Sequence, residues 1–227
     1  MRDDREQVLS QIRASLKTAH LPTARATVPP RVSAGQGERA AMLENFRREL
    51  ELLGGLSFLA QSDEEAIEIV LKLLRDVGGK ELLSWEDSEM PVRGLGDALQ
   101  ASGYTRQKVK LAKDAAERKN KLMTLERATV GITGALAGLA DTGSLALLSS
   151  AARPRLASLL PPTHIALLQT SRLFPNMASF FAAYPDITRE ASNLAFVAGP
   201  SRTADIELVL QRGVHGPKFV HVVLCDW

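Results

Sequence analysis

One polar segment combines residue types that can bind a small anion and move a proton. The sequence Asp-Thr-Gly-Ser at 141–144 sets the Asp141 carboxylate beside the hydroxyls of Thr142 and Ser144. An open α/β sheet binds its ligands where strands end, and this segment lies between two runs that read as strands. We therefore expect Asp141 to accept a hydroxyl proton from a ligand, or to orient a neighbouring side chain, with Thr142 and Ser144 as ligand contacts.

The flanking runs, 128–132 and 145–148, are short, apolar and bounded by glycine. Such runs are typical of strands buried on both faces, as in a parallel or mixed sheet. Gly134 and Gly143 would permit close approach of the backbone to another strand or to a ligand, and both are candidate ligand-binding residues. The alternative is that Asp141 only closes an Asx-type turn with Gly143.

A second polar segment, 199–207, follows a predicted strand and carries a predicted helix start. Free backbone N–H groups and a partial positive charge mark the beginning of a helix. Arg202 adds a guanidinium, and Ser201 and Thr203 add hydroxyls, so these residues and Asp205 are candidates for a carboxylate or phosphate pocket. The alternative is helix capping by Thr203, with Asp205 interacting with the helix dipole.

His164 follows two prolines at the mouth of a predicted strand, 165–169. Its ordinary pKa lies near neutrality, so it is a candidate proton carrier; the alternative is a core histidine bonded to the backbone. We predict that Asp141, His164 and Arg202 converge on one cleft in which Arg202 holds a small carboxylate. The sequence gives no distance between Ser144, His164 and Asp205, so no catalytic triad is assigned.

Spacing excludes several other kinds of site. The glycine segment lacks the G-x-G-x-x-G order of a dinucleotide site and the Gly-Lys-Ser/Thr ending of a P-loop. The four histidines show no metal-binding spacing. The single cysteine, Cys225, provides neither a disulfide framework nor the ligands of an iron–sulfur cluster. We therefore predict no metal or cofactor in this chain.

Composition narrows the class of protein. The 227 residues suit one large domain with an extension. A near balance of 28 basic and 26 acidic residues argues against a dedicated nucleic-acid surface. No uninterrupted apolar run reaches the roughly 20 residues of a membrane span, and the N-terminus lacks the apolar core of a signal peptide. We predict a cytoplasmic protein.

Periodicity predicts an α/β order of elements. An amphipathic helix and a Pro/Gly-rich linker make up an N-terminal region, 1–37, and the remaining 38–227 form the α/β domain. A strand, a helix with a capping box and a second strand form a βαβ unit, which predicts a parallel pair. The expected helices are 3–19, 38–53, 62–77, a short one from Asp97, 107–127, 174–184 and one from about 203 to 213. The further strands are 56–60, 81–85, 165–169, 194–198 and 218–225.

Four motifs together resemble the LUD domain of the lactate-utilization protein C family, the LutC or YkgG group. They occur in order with strands between them, and the likeness runs from about Glu38 to the end of the chain. The motifs are Ala-Asp-Thr-Gly-Ser-Leu at 140–145, Leu-Pro-Pro-Thr-His at 160–164, Gly-Pro-Ser-Arg-Thr-Ala-Asp-Ile-Glu at 199–207 and Gly-Val-His-Gly-Pro at 213–217.

The resemblance implies a mainly parallel mixed sheet with helices on both faces, as in the NagB/RpiA/CoA-transferase superfamily. It also implies a role in oxidising L-lactate to pyruvate beside two iron–sulfur proteins, which would carry the clusters that this chain lacks. It transfers no catalytic residue. The alternative is a stand-alone isomerase or acyl-transfer enzyme acting on a small anionic metabolite. CoA transferases of this fold use a glutamate nucleophile, and no glutamate occurs between Glu126 and Glu190.

Overall fold

The computed structural model describes residues 2–18, 38–109, 114–190, 192–205 and 209–227. The chain divides into two compact units, residues 1–32 and 33–227. The first unit contains helix α1 (Arg2–Thr18), whose apolar residues Val8, Ile12 and Leu16 are all exposed. The predicted linker at 21–37 lies outside the described residues.

The second unit alternates strands and helices along the chain. Its described elements are α2 (Arg39–Leu52), β1 (Leu56–Ala60), α3 (Asp63–Val77), β2 (Glu81–Ser84), α4 (Leu95–Ala101), β3 (Thr105–Gln107), α5 (Ala115–Leu125), β4 (Val130–Gly134), β5 (Ala137–Leu139), β6 (Ser144–Ser149), β7 (Thr163–Gln169), β8 (Leu173–Phe174), α6 (Met177–Ala183), α7 (Ile187–Glu190), β9 (Asn193–Val197), β10 (Arg202–Asp205), β11 (Val209–Arg212) and β12 (Phe219–Cys225).

A six-stranded sheet of order β1-β12-β7-β4-β2-β3 forms the centre of this unit, and every neighbouring pair in it is parallel. The central strands β4 and β7 are apolar and buried along nearly their whole length, as strands covered on both faces must be. Helices α2 and α3 flank the sheet and both pack against β1. The predicted α/β class is therefore confirmed.

Local sequence explains where α3 begins. The hydroxyl of Ser62 accepts a hydrogen bond from the Glu65 N–H at 3.2 Å, as the predicted capping box requires. The Glu65 carboxylate reaches back to the N–H of Gln61 at 2.8 Å, one residue earlier than the usual partner. The helix ends at Gly78, which has φ of 77°.

A second sheet, of order β8-β5-β6-β9, is absent from the sequence prediction. It has its own core around the fully buried Phe180, which contacts Phe174, Phe181, Tyr184 and Phe196 through ring centroids 5.2 to 5.8 Å apart. The chain enters this sheet twice from the carboxyl-terminal edge of the large sheet, from β4 into β5 and from β7 into β8. The two sheets therefore meet at that edge.

The predicted adjacency of β1 and β2 is wrong. Both strands belong to the parallel sheet, but β12, β7 and β4 lie between them. A helical connection fixes the parallel direction of two strands without requiring that they be neighbours. The last strand of the chain, β12, takes the place beside β1.

The predicted helix after Ser201 is also wrong. Residues on both sides of 206–208 form antiparallel strands, with Arg202 opposite Arg212 and Asp205 opposite Val209. Ile206, Leu208 and Leu210 alternate with period two, which is the strand period, and this signal outweighs the polar residues that resemble a helix cap.

Two other predicted helices begin later than expected. Gln107 ends β3, residues 110–113 lie outside the described part of the chain, and α5 starts after Asp114, whose side chain accepts from two first-turn N–H groups. Phe174 belongs to β8, and α6 starts after Asn176, which caps it. In both cases a capping side chain marks the true start.

No described helix is long and apolar enough to cross a membrane.

Candidate functional site

His164 lies in the core of the large sheet as the second residue of β7. Its side chain is fully buried, and its Nε2 lies 2.8 Å from Oγ1 of Thr133, a fully buried residue of β4. Its Nδ1 has no hydrogen-bond partner among the described residues. Burial, and to a smaller extent the charge of His221, lowers the pKa of His164 to about 4. The ring is therefore neutral at neutral pH and sealed from solvent.

The segment containing Asp141 forms the turn between β5 and β6. Asp141 and Thr142 are exposed, and the N–H of Asp141 donates to the carbonyl of Pro175 at 3.1 Å. Gly143 has φ of 60°, and a Cβ there would overlap the backbone of Leu50 in α2. Glycine is thus required both by conformation and by close approach. Ser144, the first residue of β6, is buried.

Ser201 and Arg202 lie at the amino-terminal edge of the large sheet. The N–H of Ser201 donates to the carbonyl of Pro217, two residues before β12 begins. The guanidinium of Arg202 donates to the carbonyl of Leu53 at the end of α2, where a cation stabilises a helix. The other two predicted residues of this segment, Thr203 and Asp205, belong to β10. Their side chains lie outside the described part of the structure.

The structure brings two of the three predicted segments together. Gly143 packs against Leu50, and Arg202 contacts Leu53, so both segments meet the last turn of α2. His164 is separated from them because its side chain is enclosed in the core. The three segments therefore do not share one open cleft in the described structure.

Gly134, the other predicted ligand-binding residue, ends β4 at the opposite, carboxyl-terminal edge of the sheet. A Cβ on Gly134 would lie 2.7 Å from the carbonyl oxygen of Glu89 and 3.5 Å from the ring of Trp85. The missing side chain lets the segment after β2 pack directly against β4. Gly134 thus lets Trp85 and Glu89 pack against the end of β4, where both line a cavity.

A cavity of about 190 Å³ opens at this edge, where β2, β4 and β7 end and the second sheet begins. Open parallel sheets bind their ligands in this position. An apolar cavity of roughly 150 Å³ can bind benzene, so this volume suits a molecule of few heavy atoms. The residues that line this carboxyl-edge cavity are Trp85, Ser88, Glu89, Met90, Pro91, Ala135, Leu136, Leu148, Arg153, Gln169 and Arg172.

Two arginines and one carboxylate are the charged groups that line the carboxyl-edge cavity. Nε of Arg153 donates to Oε2 of Glu89 at 2.7 Å, and the two side chains are only 28% and 25% exposed. Nε of Arg172 donates to the neutral Oε1 of Gln169 at 3.2 Å, and Arg172 forms no ion pair within the described ranges. Two positive charges and one negative charge leave a surplus of one positive charge, which favours an anionic ligand.

The lining of the cavity also includes apolar residues. Trp85 is 5% exposed, and its ring centroid lies 6.0 Å from Cζ of Arg153, within cation–π range. Leu148 of β6 and Leu136, which precedes β5, also line the cavity. A carboxylate can pair with arginine while a short hydrocarbon group contacts the apolar residues, so the cavity has the chemistry of a small organic acid site.

A second polar cluster lies at the ends of β1, β12 and β7. Asp226 accepts hydrogen bonds from the Thr170 hydroxyl and from Arg39, the latter at 2.6 Å. The bond from Thr170 lowers the pKa of the Asp226 carboxyl below its ordinary value. These bonds pair the Asp226 carboxylate and tie the start of α2 to the sheet, so we assign the cluster a structural role.

No group of residues suited to a metal ion is found within the described ranges. Cys225 is a buried residue of β12, and burial raises the pKa of its thiol to about 12. A cluster ligand must be a thiolate, so this thiol is a poor candidate.

The sequence prediction missed the residues of the carboxyl-edge cavity. The signal for Trp85 and Gln169 was present, because each is the last residue of a run that was read as a strand. The rule that ligands bind at the carboxyl ends of parallel strands identifies a site only when the strands of one sheet are known. Arg153 and Arg172 lie in irregular segments that no spacing links to the sheet edge.

The chain is similar to proteins of one family over most of its length. A family model described as the LUD domain matches residues 43–225. A Shouchella clausii protein named Lactate utilization protein C is 37% identical over 153 residues, which cover 66% of this chain and 64% of that protein. The match thus spans slightly less than two thirds of that relative. Escherichia coli YkgG, named as an uncharacterized protein, is 30% identical over 170 residues, or 73% of this chain and 71% of YkgG.

One solved structure shares the fold. The crystal structure of a DUF162 family protein from Deinococcus radiodurans superimposes with a TM-score of 0.57 at 20% sequence identity. The match covers 83% of this chain and 99% of that protein. At this identity the similarity establishes the architecture and no more.

Proposed function

Because the chain belongs to the LUD domain family, we propose that it functions in lactate utilization and binds a small carboxylate in the carboxyl-edge cavity. The name of the Shouchella clausii relative supports the process. In this proposal the chain is a subunit of a system that oxidises L-lactate to pyruvate, and the cavity is its binding site for a small acid. The location is cytoplasmic, as the sequence predicts.

The observation that carries the proposal is the uncompensated cation at a small cavity. Arg172 has only a neutral partner, Gln169, while Arg153 is neutralised by Glu89. An incoming carboxylate therefore finds a guanidinium without a competing anion, and Arg153 lines the same cavity. L-Lactate has six heavy atoms, and its methyl group can contact the apolar residues of the lining.

Electron transfer is assigned to partner proteins. The only thiol of the chain, Cys225, is buried and protonated at neutral pH, whereas an iron–sulfur cluster needs several thiolates. We therefore propose that iron–sulfur proteins of the lactate-utilization system bind this chain and carry the clusters. The chain itself supplies the acid-binding site or a scaffold.

Replacing Arg172 with glutamine tests the proposal. Loss of a charge-assisted hydrogen bond to a carboxylate should cost about 1.5–3 kcal/mol, so the dissociation constant for L-lactate should rise about ten- to a hundredfold. Isothermal titration calorimetry measures this constant on the full chain. Arg172 is exposed and forms no ion pair in the described structure, so the thermal midpoint should change little.

The matched control is Arg155→Gln. Arg155 is also exposed, lies close in sequence to Arg153, and does not line the cavity. It should bind L-lactate like the wild type and restore growth on L-lactate to a strain that lacks this gene. If the wild type, Arg172→Gln and Arg155→Gln bind L-lactate with equal affinity, the acid binds elsewhere. If the folded wild type does not bind L-lactate, the carboxylate site is refuted.

A further inference from the structure

Glu89 lines the carboxyl-edge cavity, and only one of its two carboxylate oxygens accepts a hydrogen bond within the described ranges. Its Oε2 accepts the hydrogen bond from Arg153, while its Oε1 has no hydrogen-bond partner within the described ranges. The side chain is 25% exposed and lines the carboxyl-edge cavity. An ionised carboxylate can only accept hydrogen bonds. A ligand that offers a donor at this point is therefore favoured over one that offers only lone pairs.

Arg153 fixes where that donor must be. Its Nε is committed to Glu89, and its terminal nitrogens have no partner within the described ranges, so they remain available to a ligand carboxylate. A planar guanidinium that bonds both groups holds the ligand carboxylate next to the Glu89 carboxylate. Beyond the ligand carboxylate itself, the part of the ligand closest to Glu89 is then a substituent on the adjacent carbon.

From this arrangement we infer that Glu89 makes the cavity selective for 2-hydroxy acids over the corresponding 2-oxo acids. The inference rests on the carboxylate site proposed above. A 2-hydroxyl group donates to the free oxygen of Glu89. A 2-oxo group has no proton to donate and directs its own lone pairs at that oxygen, which is unfavourable. An acid without an oxygen at this carbon leaves the Glu89 oxygen without a donor.

The test compares L-lactate, pyruvate and propanoate by titration calorimetry on the full chain. The wild type should bind L-lactate about tenfold or more tightly than pyruvate, with propanoate also weaker than L-lactate. In Glu89→Gln the side-chain amide can donate as well as accept, so the ratio of the pyruvate and L-lactate dissociation constants should fall to about one. The control is Glu86→Gln, an exposed residue outside this cavity, which should keep the wild-type ratio.

The outcomes separate the two proposals. Binding of pyruvate by the wild type as tightly as L-lactate overturns the role of Glu89 and leaves the carboxylate site intact. The role of Glu89 is also overturned if a folded Glu89→Gln protein keeps the wild-type ratio of the pyruvate and L-lactate dissociation constants. If the wild type binds none of the three acids, the carboxylate site itself is refuted. The wild-type ratio needs no variant, so the inference remains testable even if Glu89→Gln fails to fold.

Discussion

Nε2 of His164 lies 2.8 Å from Oγ1 of Thr133, and neither side chain is exposed. The bond joins β7 to β4 in the middle of the parallel sheet. Because protonation would place a charge in this core, the structure favours the neutral ring, and burial lowers the pKa of His164 to about 4.

This pair predicts a loss of stability in mild acid. In the unfolded chain His164 titrates near pH 6.5, whereas the folded protein resists protonation until about pH 4. Stability is therefore fully present above about pH 6.5 and falls as the pH drops toward 4, by about 2 kcal/mol between about pH 7 and about pH 5. Burial lowers the pKa of His221 as well, which adds to the loss in the same direction.

Urea denaturation at the two pH values measures this difference. His164→Gln keeps a group that can bond Thr133 but removes the titration, so its stability should fall less on acidification than that of the wild type. His215→Gln is the control because His215 is exposed. An equal loss in the wild type and in His164→Gln would show that other groups cause the acid sensitivity.

A single added methyl group at Gly131 should be strongly destabilising. Gly131 is buried in β4, and a Cβ there would overlap the carbonyl oxygen of Ala157, a backbone atom of the 3-10 helix Arg155–Ser158. Overpacking of this kind costs about 1–3 kcal/mol or more, because the backbone must move. Gly216→Ala is the control: its Cβ would meet only Ser201 at 3.4 Å, and the expected change is within about 0.5 kcal/mol. Equal midpoints of urea denaturation for the two variants would contradict the close approach.

Five of the six strands of the large sheet were predicted from the sequence, although not their order, and two of the four strands of the second sheet. Strands such as β4 and β7 are continuous apolar runs bounded by glycine or proline, and the runs near them could be assigned before the structure was known. In contrast, β5 and β8 have three and two residues, too short for any periodicity. They exist because they pair with β6 and with each other, which is long-range information.

The same limit explains the prediction of the site. Asp141 and Arg202 were placed at the ends of parallel strands, but their strands belong to the second sheet and to a separate hairpin. The residues at the carboxyl ends of the true parallel sheet, Trp85 and Gln169 among them, are ordinary in sequence and become a site only through strand order. The ligand roles of Asp141 and Arg202 stay predictions.

Arg202→Ala decides between these two locations. The Arg202 guanidinium caps the carbonyl of Leu53, so its removal should cost about 0.3–1 kcal/mol of stability, as for other cations at helix ends. Binding of L-lactate should be unchanged, in contrast to Arg172→Gln. Titration calorimetry with thermal melting provides both values. If a stably folded Arg202→Ala protein no longer binds L-lactate, the binding site lies at segment 199–207, as predicted from the sequence.

The second core should depend on Phe180. This side chain is fully buried among four aromatic rings, and its truncation to alanine leaves a cavity. The expected cost is about 3–5 kcal/mol. Phe219→Ala removes a ring that is 49% exposed and should cost much less. Urea denaturation followed by circular dichroism compares the two, and similar midpoints would mean that the second core contributes little to folding.

The chain crosses from one sheet to the other twice at the cavity, and this has a thermodynamic consequence. Ala135 and Leu136 form the first crossing, Arg172 lies at the end of the second, and all three line the cavity. A bound acid therefore contacts both crossings, and opening the joint between the sheets requires losing it. Because the acid binds only the closed form, binding of the acid raises the free energy needed to separate the two sheets locally. Amide hydrogen exchange in β5 and β8 should accordingly slow as the acid concentration rises, while exchange in α1 stays constant.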